Sequence, residues 1–136
     1  MTGRSHLFGL MERKLAAGLV TDRARLVSLS RQAAEAQRLA ERLQALLAER
    51  RGAAAPASAA DLRITARLAA EIATESHNHS QRAAELRGRL EDLRSDLARK
   101  DRRREKLAEA GAGARQTEAE ARAALAQAAL PAARRR

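Results

Sequence analysis

The sequence predicts an all-α protein, a long antiparallel two-helix coiled-coil hairpin with a short, partly helical C-terminal extension. Three observations predict it. Two long segments each carry one apolar stripe at 4-3 spacing, one Gly/Pro-containing stretch separates them, and the composition offers helix formers but little to fill a globular core. Apolar residues make up 45% of the chain, yet aromatic residues are only 1%. Compact cores draw volume and shape from aromatic and β-branched side chains, and here Phe8, Val20, Val27, Ile64 and Ile72 are nearly the whole supply. Abundant Ala, Glu, Leu, Arg and Gln with few breakers belong instead to long helices.

The first helix is expected over residues 5–51, about 70 Å at 1.5 Å per residue. Its stripe runs Leu15, Leu19, Asp22, Leu26, Leu29, Ala33, Ala36, Ala40, Leu43, Leu47, and residues so spaced share one helix face. Phe8 and Met11 extend the stripe if one additional four-residue step is inserted before Leu19.

The turn is placed at 52–58. Gly52 can end a helix in a left-handed conformation, and Pro56 disfavours helical geometry in the residue before it. Ser58 and Asp61 then have capping-box spacing, which starts a second helix over 58–110. Its stripe runs Leu62, Thr65, Ala69, Ile72, Ser76, His79, Ala83, Leu86, Leu90, Leu93, Leu97, Lys100, Arg104, Leu107. Each helix has one apolar stripe to bury, so folding back lets each cover the other. A turn centred near residue 55 makes facing residue numbers sum to about 110, which sets Leu43 near Arg67, Leu26 near Ala83 and Leu86, and Phe8 near Arg102. Alanines in the seam permit closer backbones than an all-Leu seam. Glu85 with Arg89, Asp96 with Lys100, and Glu118 with Arg122 have ion-pair spacing along the helix.

The hairpin is therefore assigned to residues 1–110. Gly111 and Gly113 are expected to interrupt the second helix beyond the reach of the first, leaving 111–136 as a flexible or short-helical basic tail that ends in Arg134–Arg136.

Lys and Arg number 27 against 17 Asp and Glu, a formal net charge of +10. That excess attracts anionic partners without choosing among nucleic acid, acidic proteins and lipid headgroups. No cysteine is present, and no apolar run suffices for a secretory signal or a membrane span. A cytoplasmic location is expected, with any membrane association peripheral and through partners.

Site chemistry is concentrated in Glu75-Ser-His77-Asn-His79. His77 and His79 lie about 200° apart around a helix, so they cannot ligate one metal together. Glu75 and His79 can, but no third ligand is evident. The favoured reading is a polar break in the seam that fixes register. The run Lys100 to Arg104 carries no interleaved aromatic residue for base stacking, which favours a solvated helical face over a nucleic-acid patch. With no phosphate-binding loop and no nucleophile–base set, neither an enzyme nor a cofactor is expected.

The hairpin, its slightly longer second helix, its C-terminal extension and its basic character resemble the FliJ/YscO family of type III export proteins. In that family an aromatic-x3-Leu-x2-Ala-x3-His pattern after the turn contacts the export gate. Leu68, Ile72, Glu75 and His79 stand at this spacing, with His79 identical, Ile72 conservative, Leu68 in place of the aromatic residue and Glu75 in place of Ala. The resemblance implies a stalk in flagellar export that places its joined termini in the export ATPase ring and its turn towards the gate. The partners it implies are export ATPase, export gate and chaperones. Phe8, Met11 and Leu107, gathered at the open end of the hairpin, are the expected ATPase-docking residues. A basic coiled coil that binds nucleic acid or the ribosome, and a general coiled-coil scaffold, are the alternatives.

Overall fold

The computed structural model describes residues 3–52 and 58–130. They form two helices, α1 (Gly3–Arg51) and α2 (Ala59–Ala128), packed against each other as a helical hairpin. Among the described residues there is no strand.

Every residue of the expected α1 stripe from Leu15 to Leu47 is buried or half-buried, as is the α2 stripe from Thr65 to Leu107. The start of α1 differs from expectation. Ser5, Phe8, Glu12 and Leu15 are half-buried, in 3-4-3 steps that lead to Leu19 without an added step. Met11 is 45% exposed and lies off the stripe. A carboxylate at the Glu12 seam position hides this continuity in the sequence.

At its end α1 keeps helical geometry, with the Gly52 amide donating to the Ala48 carbonyl at 3.1 Å. No described glycine has a positive φ, so Gly52 does not use the left-handed conformation expected of it. Residues 53–57 of the expected turn lie outside the described residues. The start of α2 follows the capping expectation: Ser58 Oγ accepts from the Asp61 amide at 3.1 Å, which satisfies one of the amides that a helix start leaves without a partner.

The assignment of 111–136 to a tail is corrected. Helix α2 runs unbroken through Gly111 and Gly113 to Ala128. Glycine costs about 1 kcal/mol relative to alanine inside a helix, but Gly111 is a point of close approach. It is buried, and a Cβ there would stand 3.4 Å from Phe8 Cβ. The small residue lets the only aromatic side chain pack against the α2 backbone. Pro131 to Arg136 lie outside the described residues.

The chain divides into two compact units. In the unit formed by 24–95, Ala33, Ala36, Ala83 and Leu86 form a buried cluster with Leu29 packed against it. Ser76 Oγ donates to the Ala40 carbonyl at 3.2 Å. A serine can reach a backbone carbonyl on the facing helix only where small side chains let the helices approach closely. Arg87 donates to Gln37 at 3.5 Å. Facing numbers therefore sum to between 116 for Ala40 with Ser76 and 124 for Gln37 with Arg87, not 110. The expected packing of Leu26 on Ala83 and Leu86 is corrected, because Leu29, Ala33 and Ala36 hold those positions. The register is the one in which Ser76 meets Ala40 and Lys100 meets Asp22, not the one that the midpoint of the turn implies. It also explains why Leu62, the expected first seam residue of α2, is 56% exposed: its counterpart in this register falls beyond the end of α1.

In the unit formed by 3–23 and 96–130, Leu19 is fully buried and Leu97 nearly so. Polar contacts cross between its helices. Lys100 Nζ donates to Asp22, and Arg23 pairs with Asp101 at 3.4 Å. Ser5 bonds to Glu118. Phe8 packs at Gly111 rather than near Arg102 as expected.

Candidate partner-binding surfaces

The four gate-like positions on α2 do not share one exposed surface. Ile72 is buried at 7% exposure, Leu68 and His79 are half-buried, and Glu75 points to solvent. The spacing accounts for this. Leu68, Ile72 and His79 lie on or beside the stripe that packs on α1, whereas Glu75 is about 100° round the helix from Ser76 at the centre of that stripe. Glu75 and His79 approach to 3.8 Å one turn apart, a long contact on an exposed face. Among the described residues no group of three His, Cys, Asp or Glu side chains comes together to hold a metal ion.

Of the three open-end residues, Phe8 and Leu107 are half-buried and Met11 is exposed. They were expected to lie where one helix runs out. Because α2 continues to Ala128, Phe8 instead meets α2 at Gly111 and forms part of the seam. Met11 and Leu107 both line a surface groove, together with Lys14, Leu15, Gly18, Lys100 and Arg103. The sequence marks Met11 and Leu107 by hydrophobicity and Lys100 and Arg103 as part of a cationic run, whereas nothing in it singles out Lys14 and Gly18.

Sequence reasoning missed the contact that ties the start of α1 to α2. The Ser5 hydroxyl donates to one Glu118 carboxylate oxygen at 2.7 Å, and the Ser5 amide donates to the other at 3.3 Å. That amide lies in the first turn of α1, and Glu118 accepts from it across the helix pair. A carboxylate at this position also faces the positive end of the helix dipole. The Ser5 hydroxyl first, and then its amide, hold the Glu118 carboxyl below its ordinary value. The sequence signal was the 4-3-4 continuation Leu107, Gly111, Ala114, Glu118, all buried or half-buried.

Two local ion pairs expected from spacing are also redirected. Lys100 turns across to Asp22, while Asp96 pairs with Arg99 at 3.8 Å. Arg122 Nε donates to the Glu118 backbone carbonyl, at 3.4 Å, instead of to its carboxylate.

Among the described residues no helix is long and apolar enough to cross a membrane. No protein-family model matches the chain, and no curated protein or solved structure shows significant similarity to it.

Proposed function

We propose that this chain is a non-enzymatic, cytoplasmic hairpin protein of flagellar type III export, acting as stalk or escort and binding the export ATPase ring and the export gate or chaperones. The observation that carries the reading is the antiparallel hairpin itself, in which two long uninterrupted helices approach closely at small residues and are joined by specific cross-helix polar contacts. A pair of helices fixed against sliding can pass strain from a partner bound at one place to a partner bound at another. The chain's net charge of +10 suits an acidic ring lumen.

In this reading Met11 and its exposed neighbours Leu7 and Leu10 supply apolar docking surface. A gate contact would use Glu75 with the exposed edges of Leu68 and His79, since Ile72 is covered by α1. The test is affinity capture from a flagellated bacterium with the full chain as bait. Retention of the export ATPase, weakened by Met11→Glu, supports the reading. Recovery of RNA or DNA alone, with binding lost at moderate salt as phosphate contacts are screened, overturns it in favour of a nucleic-acid-binding coiled coil.

A further inference from the structure

Helix α1 carries a second stripe. Leu7, Met11, Lys14 and Gly18 follow one another in 4-3-4 steps, each one residue before the seam residues Phe8, Glu12, Leu15 and Leu19. One residue is about 100° of helix rotation, so this stripe faces away from the main seam while remaining beside it. All four residues are exposed. Leu7 and Met11 make its first part apolar, and Lys14 and Gly18 follow them beside the seam with α2.

The groove on this side supplies the remainder. Met11, Leu15 and Leu107 give it an apolar floor, and Lys14, Lys100 and Arg103 rim a space of about 360 Å³. Gly18 leaves a gap in the wall, since nothing lies within 4 Å of where its Cβ would be. Among the described residues no carboxylate lines the groove. Lys100 is engaged with Asp22, so the uncompensated positive charge comes from Lys14 and Arg103, neither of which has a carboxylate partner among the described residues.

We propose that this groove binds an acidic amphipathic helix of a partner protein, which would lie between α1 and α2 as a third helix. Its apolar side chains would enter at Met11, Leu107 and the gap over Gly18, and its flanking carboxylates would meet Lys14 and Arg103. Charge complementarity selects the sign of the occupant, and the apolar strip of Met11, Leu15 and Leu107 between flanking cations suits an amphipathic segment lying along the two helices. A single nucleic-acid strand would use the cations but leave the apolar floor idle, and no aromatic side chain stands in the groove for a base to stack on. A lipid surface is engaged by a broad apolar face, often with aromatic residues at the interface, whereas the apolar strip here is narrow and has no aromatic residue.

The proposal is independent of the export reading, and one set of measurements decides it. The probe is a fluorescein-labelled 21-residue peptide of three heptads, with Leu at the two apolar positions of each heptad and Glu at the positions flanking them. Its anisotropy is followed as the full chain is added at low salt. Saturable binding is expected, and it should weaken about tenfold or more, equivalent to about 1.4 kcal/mol, in each of two variants. Gly18→Leu fills the gap and should raise the melting temperature, because glycine is the poorer helix former. The pair Lys14→Glu with Arg103→Glu reverses the rim at exposed positions and should leave the melting temperature unchanged. Improved folding together with lost binding identifies the groove and excludes damage to the hairpin as the cause. Absence of saturable binding, or equal binding by both variants, overturns the proposal. It is also overturned if phosphatidylglycerol vesicles or a 20-nucleotide DNA strand displace the peptide from the parent chain and lose their own binding in both variants, because the groove would then take those polyanions. Capture of the export ATPase without peptide binding would reject the groove and leave the stalk reading standing, and the converse result would do the opposite.

Discussion

The two units of the hairpin solve the same packing problem with different side chains. In 24–95 the seam centres on alanine: Ala33, Ala36 and Ala83 pack with Leu86, and the buried cross-helix hydrogen bond from Ser76 ends on a backbone carbonyl. In 3–23 with 96–130 the buried apolar residues are fewer, Leu19 and Leu97, with no buried alanine, whereas 24–95 also buries Ile72 and Leu90, and charged side chains meet across the helices at Asp22–Lys100 and Arg23–Asp101. Alanine seams gain dispersion contacts through close backbone approach but give weak preference to any one alignment, because one alanine is much like the next. Charged residues in a seam give less stabilisation and a strong preference, because sliding leaves them without partners. One unit thus contributes closeness and the other contributes register.

The sharpest way to break this comparison is to alter the packing residue each unit depends on. Leu19→Ala should lower the free energy of unfolding by about 2–5 kcal/mol, the range for a fully buried leucine whose site closes only partly, as measured by urea denaturation followed by circular dichroism. A loss near zero would mean that Leu19 is not a core residue of its unit. Ala83→Leu should cost somewhat less, about 1–3 kcal/mol, by forcing apart helices that alanine holds close. If Ala83→Leu were neutral or stabilising, the close approach inferred from the bond between Ser76 and Ala40 would be wrong.

The charged seam is tested by a cycle. Lys100→Ala leaves the nearly buried Asp22 carboxylate without its partner and should cost about 1–3 kcal/mol. The double variant Asp22→Leu with Lys100→Leu should recover that loss or exceed the parent, because two apolar residues often pack as well as a buried pair. What it should lose is alignment. The chain has no cysteine, so cysteines at Arg23 and Asp101 can report register with a short thiol crosslinker. Near-complete crosslinking is expected in the parent background, and reduced crosslinking with multiple products in the double variant. Complete crosslinking in both would show that register is set elsewhere, with Ser76 the first candidate.

The stripes were legible in the sequence because most of their positions carry Leu or Ala, and the 4-3 spacing survives isolated exceptions such as Asp22, Ser76 and His79. Legibility failed where one residue type has two physical uses. Glycine ends helices and also admits close neighbours, and only the presence of Phe8 opposite decides for Gly111. Glu12 reads as surface until Ser5 and Phe8 are seen in step with it. Lys100 has an acid four residues back and a better one on the facing helix, and the choice depends on a register that the turn does not specify. A turn midpoint predicts a sum near 110, whereas the cross-helix contacts of Ser76 with Ala40 and of Lys100 with Asp22 fix a larger one. Of the candidate surface residues, Met11 and Leu107 were found through hydrophobicity, whereas Lys14 and Gly18 acquire meaning only once α1 and α2 stand side by side.

The smallest expected effect concerns the contact furthest from what the sequence suggested. Glu118 accepts two hydrogen bonds from Ser5, and they hold its carboxyl below the ordinary value of 4.5. A carboxyl whose value is lowered by folding contributes stability that is fully present above its unfolded value and is lost as pH falls through the lowered folded value. The tie between the start of α1 and the far part of α2 should therefore hold at neutral pH and loosen only in acid, below 4.5. Carboxyl carbon chemical shifts of Glu118 should report a titration midpoint below 4.5. Ser5→Ala removes the hydroxyl, the larger of the two causes, and should move the Glu118 value up towards 4.5 without fully reaching it, because the backbone amide still donates. Amide hydrogen exchange over the first turn of α1 should quicken in that variant at neutral pH, and in the parent chain only after acidification. If Glu118 titrates at the ordinary value of 4.5 and Ser5→Ala changes neither exchange nor titration, the start of α1 is not held by α2, and residues beyond Gly111 revert to the independent extension that the paired glycines suggested.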